Sequence, residues 1–397
     1  MFPIFFALDT DIFEINHSAA TIATGGSSDV EAVMNATLSG LTWYGSTIHP
    51  PLVLVLCIAG ACGHLFTITT LQTMLNPTNA LLISMSCCQL LLCVNFLYAT
   101  LFKWASDDLC LSFFFSEWMA RSMHISVTLA VLLHMAGVFH VVALSIVRYY
   151  SLKKLAAANS SIPWFTYPIC KRIIIMIYIS VFIIAVPLFS ASEIGMREEK
   201  EDCVDRYRNL ANVPAYELQM ADNESLVTFN FWLFNLCDKL IPSVFLCVMT
   251  WLILQKLNEV KRMSERFTNS QRDKQHHRTT MMILTIMFVF IIVEMPQGLL
   301  ALNPYTSDLS RAMGDLNEMI TLLTSCIIFA LFCSTSGKVR QALFDTPCIR
   351  FMRKADANIS ARLCRRSSKT KDRTLLGEKM LEVVTSDMDR SQRFDSV

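Results

Sequence analysis

The chain has 397 residues, of which 53% are hydrophobic and only 17% charged, against about 25% charged in a water-soluble globular protein. Much of its surface must therefore face something other than water. The net charge of +1 gives no bulk attraction toward nucleic acid or acidic substrates. Most of the 14 Cys fall inside apolar stretches, where Cys behaves as a small hydrophobe rather than as part of a disulfide scaffold.

Taken in chain order, residues 2–7 are apolar, but no basic residue precedes them and the run is too short for a secretory leader. Residues 1–50 read as an uncleaved tail. A membrane helix needs about 20 mostly apolar residues, and seven stretches qualify, at roughly 51–74, 79–102, 117–147, 172–192, 226–255, 279–302 and 316–334. Turn or charge signals separate them, among them Asn76-Pro77-Thr78-Asn79 and Asn303-Pro304. The third stretch carries His124, His134 and His140, and the seventh opens with Asp315 and Glu318. The organisation expected is an N-terminal tail (1–50), an all-α seven-transmembrane domain (51–334), and a short amphipathic helix with a disordered tail (335–397).

Lys and Arg set the expected orientation. Residues 1–50 contain neither, while carrying Asp9, Asp11, Glu14, Asp29 and Glu31. The 256–278 segment instead holds Lys256, Lys261, Arg262, Arg266, Arg272, Lys274 and Arg278, and further basic residues follow the seventh span. The N-terminus is thus expected outside and the C-terminus in the cytoplasm of a plasma-membrane protein, which requires an odd number of spans. Sequons at Asn16, Asn35 and Asn223 fall on the outer side and are glycosylation candidates. Those at Asn159 and Asn358 fall inside and read as chance matches. Cys110 and Cys203 are the two Cys of the outer segments, and an even number in an oxidising compartment predicts that they pair.

The third span ends Ala143-Leu144-Ser145-Ile146-Val147-Arg148-Tyr149-Tyr150. The fifth contains Lys239-Leu240-Ile241-Pro242, and the sixth runs from Arg278-Thr279-Thr280-Met281 to Glu294-Met295-Pro296-Gln297-Gly298. The fourth carries Ile177-Tyr178-Ile179 and later Val186-Pro187. These strings resemble the rhodopsin-like G-protein-coupled receptors, and within them the invertebrate peptide-receptor subgroup of Srw type that includes myosuppressin and FMRFamide-like receptors. The resemblance covers roughly residues 50–345 and is most specific in spans three to six. It implies a receptor for an amidated neuropeptide, coupled to a heterotrimeric G protein, with arrestin and a receptor kinase as further partners. The sequence departs from the broad class at Val147, at Gly63-His64, at Gln89 where a buried Asp is expected, and in a seventh span that lacks Asn-Pro and the terminal Tyr.

On that resemblance Arg148 and Tyr149 are the expected G-protein contacts, since a guanidinium at the cytoplasmic mouth can accept a helix end. The bland alternative is an Arg snorkelling to the interface. With Val147 beside it and no acid at the inner end of the sixth span, an inactive-state clamp should be weak and basal signalling elevated. Gln89, Gly137 and Ile328 supply no charge for a buried sodium ion, a hard cation that needs carboxylate oxygen. Glu294 is the most informative intramembrane residue, because a lone charge there costs about 3 kcal/mol and demands a partner or a cavity. Either it pairs with Lys239 on the neighbouring helix, or, with Asp238 or Glu318 and beside Gln297, it receives the Arg of an Arg-Phe-amide ligand through a two-bond fork. An acidic 193–205 segment could steer a cationic peptide, although its own Arg197 and Lys200 make a solvated loop equally consistent.

Beyond the seventh span, 337–344 has a basic and an apolar face and reads as a helix lying on the inner leaflet. Cys348 and Cys364 are palmitoylation candidates. No metal-spaced cluster occurs within the spans, and no cofactor or enzymatic activity is expected. Three alternatives share or rival the fold. One is a small-molecule chemosensory receptor, the second a receptor-like protein that no longer signals, and the third a transporter. A transporter calls for inverted repeats, and seven spans do not split evenly.

Overall fold

The computed structural model describes residues 28–156, 165–196, 214–264, 271–301, 314–335 and Gln341. The chain divides into two compact units, residues 1–336 and 337–397. Of the second, only the helical, exposed Gln341 is described. The first is a bundle of seven helices long and apolar enough to cross a membrane: Ala36–Gln72, Pro77–Lys103, Glu117–Lys154, Tyr167–Phe189, Ser225–Arg262, His277–Leu299 and Gly314–Ser334. Only helices and closed barrels satisfy every backbone group in hydrocarbon, so runs of this length and composition have one solution.

Local chemistry marks the ends. Asn76 accepts a hydrogen bond from the Asn79 amide at 2.8 Å, and Pro77 follows as the first helical residue, which needs no amide partner. Pro residues also open the fourth span and the His49–Gln72 segment of the first. Asn223 caps the helix Glu224–Phe234 by accepting from the Leu226 amide at 3.2 Å. The first span begins earlier than its hydropathy suggests: Ser28–Trp43 is α-helical and passes through a π-helical turn, Tyr44–Ile48, into His49–Gln72. A second π-helical turn, Asn235–Leu240, interrupts the fifth span. Such turns favour functional sites because they displace side chains from the regular helical register.

The third span is the axis of the bundle. Of its most apolar stretch 72% is buried, against 22% for the fourth. One continuous core joins Phe96, Leu92 and Met85 of the second span, Met135 and Leu144 of the third, Leu246 and Ile253 of the fifth, and Ile283 and Met287 of the sixth. The fourth span turns Phe182, Ile183 and Met176 outward, each more than 60% exposed, as a helix facing lipid should.

Between the fourth and fifth spans lies an antiparallel hairpin, β1 (Ser192–Met196) with β2 (Tyr216–Met220), in register from Ser192 opposite Met220 to Met196 opposite Tyr216. It is fastened to the third span by Leu218, buried against Val127. Cys110, between the second span and a short 3₁₀ turn at Ser112–Phe115, is disulfide-bonded. Its φ of 45° makes it the one non-glycine in left-handed backbone among the described residues, a conformation that needs tertiary restraint. Its expected partner Cys203 lies outside the described residues, as do Asn16, Cys348, Cys364 and most of the acidic 193–205 segment.

Candidate functional site

A charge buried in a membrane protein without a partner is expensive enough that partners are nearly always found. Five polar side chains from the third, fifth and sixth spans meet on this principle: His134, Asp238, Lys239, Glu294 and Gln297, each less than 9% exposed. The π-helical turn carries Asp238 and Lys239, so two adjacent residues are both turned inward. Two residues beyond Glu294, Pro296 lies inside the sixth-span helix. Gly298 then lets the sixth span approach the fifth, since a Cβ there would sit 3.3 Å from both the Leu240 amide nitrogen and the Lys239 Cβ.

Within the cluster, Lys239 Nζ donates to Glu294 Oε2 at 3.0 Å and to Gln297 Oε1. It also lies 5.8 Å from the centre of the Phe234 ring, within cation–π range. Glu294 presents its other oxygen to His134 Nε2 at 3.4 Å, and the same nitrogen lies 3.4 Å from Asp238 Oδ2. His134 thus faces two carboxylates without hydrogen-bonding geometry to either, and both Asp238 oxygens and Gln297 Nε2 have no hydrogen-bond partner. The structure therefore brings together four of the five pocket candidates and adds His134. That residue is legible in retrospect as an ionisable side chain in the middle of a membrane helix.

Glu318 goes elsewhere. It is buried between the seventh and first spans, 3.9 Å from His49 Nε2, with Asp315 at 4.0 Å from the same nitrogen and the Tyr44 ring edge-on to the imidazole. Among the described residues no hydrogen bond or ion pair links it to Glu294.

At the opposite end of the third span, Arg148 is 7% exposed, and its Nε has no hydrogen-bond partner. No ion pair reaches it among the described residues. The preceding Val147 is buried in the core, and Tyr149 packs against that core and edge-on to Tyr150. Between these two sites a few polar contacts interrupt the apolar core. His64 Nε2 meets Ser325 Oγ at 2.7 Å, joining the first and seventh spans. Gly63 makes room for the Phe329 ring. Gln89 packs against Gly137, where a Cβ would lie 2.7 Å from its Nε2, and Ile328 is fully buried.

Residues 49–341 match the family described as "Serpentine type 7TM GPCR chemoreceptor Srw". The chain belongs to this family. An Srw chain is a G-protein-coupled receptor, a signalling protein and not an enzyme. It is also similar to the G-protein coupled receptor dmsr-1 of Caenorhabditis elegans, with 26% identity over 345 residues that span 74% of this chain and 67% of the relative. Among solved structures it resembles squid rhodopsin, with a TM-score of 0.55 over 75% of this chain and 84% of the other at 14% identity. That likeness concerns the fold.

Proposed function

We propose that this Srw receptor binds an amidated neuropeptide carrying a cationic side chain, of the Arg-Phe-amide kind, and passes the signal to a heterotrimeric G protein at Arg148 and Tyr149. The observation that carries the reading is the buried group formed by His134, Asp238, Lys239, Glu294 and Gln297. It lies in the halves of the fifth and sixth spans nearer the hairpin, and it holds two carboxylates against one Lys. Such a group is suited to a guanidinium, which forms a two-bond fork with a carboxylate and tolerates partial desolvation. The hairpin at that end adds strand edges to which an extended peptide could pair. The excess of Lys and Arg in 256–278 and beyond the seventh span supports placing the Arg148 end in the cytoplasm and the hairpin outside. Arrestin, a receptor kinase and palmitoylation at Cys348 and Cys364 belong to the same reading of the cytoplasmic side.

A second reading, a small-molecule chemosensory receptor, is favoured by the family description itself and uses the same pocket with a smaller ligand. The experiment that separates them is a screen in cells carrying promiscuous G-protein and calcium reporters. The library is amidated peptides beside a set of small odorant-like molecules, with Arg148→Ala as the control receptor. A dose-dependent peptide response lost in Arg148→Ala is expected. Activation by small molecules alone would overturn the peptide reading.

A further inference from the structure

The charge balance of the buried cluster is incomplete. Lys239 is taken by Glu294 and Gln297, which leaves His134, at 3.4 Å, as the ion-pair partner of Asp238 among the described residues. Asp238 is fully buried, and neither of its oxygens receives a hydrogen bond. With a neutral imidazole the group of Asp238, Glu294, Lys239 and His134 carries one net negative charge. With one proton on the His134–Asp238 pair it carries none. A buried uncompensated charge costs several kcal/mol, so this arrangement favours holding that proton. An imidazole Nε2 has a single N–H to give, and here it faces two carboxylates at equal distance, so it cannot satisfy both.

We propose that Asp238 is the acceptor for the cationic group of the ligand, and that this cation binds in exchange for the proton held by His134 and Asp238. Lys239 and Glu294 form the fixed wall of the subsite. The incoming guanidinium or ammonium donates N–H bonds to Asp238 Oδ1 and Oδ2. The proton leaves the pair for bulk solvent, His134 becomes neutral, and the net charge of the occupied site is again zero. The groups facing His134 are Asp238 and Lys239 from the fifth span and Glu294 from the sixth. Of these, Lys239 and Glu294 are already paired to each other, so Asp238 is the anion left to accept a cation. This assignment rests on the receptor reading of the same pocket, and it fixes which residue selects for charge. Because one proton is released per cation bound, affinity rises with pH, by about tenfold per pH unit while the pair is protonated in the free receptor.

The test uses the full-length receptor in lipid nanodiscs, with L-argininamide as probe and L-citrullinamide, in which a neutral urea replaces the guanidinium, as control at matched ionic strength. Argininamide is expected to raise the melting temperature and citrullinamide to leave it unchanged. The effect should vanish in Asp238→Asn. Calorimetry in two buffers of different ionisation enthalpy should show one proton released per probe. His134→Gln, a second variant that leaves Asp238 intact, should still bind the probe, because the same charge balance then places the exchanged proton on Asp238. A melting shift that survives Asp238→Asn, no response to argininamide, or binding without proton release would each overturn the inference. None of these readouts requires a peptide agonist. A failed peptide screen with an Asp238-dependent argininamide response would remove the peptide reading and leave the cation subsite standing.

Discussion

Lys239 and Glu294 stabilise the bundle through each other, and the consequence shows when only one is removed. Taking one partner from a buried ion pair strands the other charge and costs about 3–5 kcal/mol, whereas replacing both by apolar side chains of similar size is often neutral. Lys239→Met and Glu294→Met are each expected to lower the melting temperature and surface expression strongly, and the double variant to recover most of the loss. Thermal unfolding of the four proteins checks this, and additive effects of the two changes would contradict it. A Lys239–Glu294 contact was one of two arrangements legible in the sequence, because hydrophobic spans admit few charges and the carriers flank Pro242 and Pro296 on successive helices. The part played by His134 was not legible. Periodicity places it on the third span but says nothing of which face meets the fifth, and the π-helical turn that aims Asp238 at it leaves no trace in hydropathy.

Among the elements, spans one, two and seven depart most from the broad rhodopsin-like pattern, and the structure shows what fills their interior. His64 bonds Ser325 across the first and seventh spans, and Gln89 occupies the space left by Gly137. The His64–Ser325 bond contributes about 0.6–2 kcal/mol in a membrane, and neither contact offers a hard cation a carboxylate. The melting temperature of the purified receptor should therefore be the same in sodium chloride and choline chloride at equal concentration. A clear stabilisation specific to sodium would show that these spans hold the ion. The spans themselves were readable because hydrocarbon thickness dictates their length. The helical extension of the first span back to Ser28 was not, because Ser, Asp, Glu and Asn there read as a tail when hydropathy is the only guide.

For the whole molecule, the proposed orientation rests on charge asymmetry, with no Lys or Arg before residue 51. An epitope tag at the N-terminus should be stained in unpermeabilised cells and one at the C-terminus only after permeabilisation. Removing the sequons by Asn16→Gln, Asn35→Gln and Asn223→Gln should abolish the shift in gel mobility caused by glycosidase. The reverse staining pattern would overturn the assignment of both the ligand pocket and the G-protein end. Asn223 also caps a helix, so its substitution should cost about 1 kcal/mol of local stability as well.

On the proposed reading, signal output depends on the end of the bundle where Arg148 is buried beside Val147 without an ion pair among the described residues. With no acid paired to it among the described residues, the guanidinium is, on the proposed reading, available to a G protein even before ligand arrives. The most direct measurement is guanine-nucleotide exchange on purified heterotrimer by the ligand-free receptor in nanodiscs, beside Arg148→Ala. Exchange several-fold above empty nanodiscs is expected for the wild type, with loss of that excess in Arg148→Ala. Exchange by the wild type no faster than empty nanodiscs, or undiminished in Arg148→Ala, would contradict this reading.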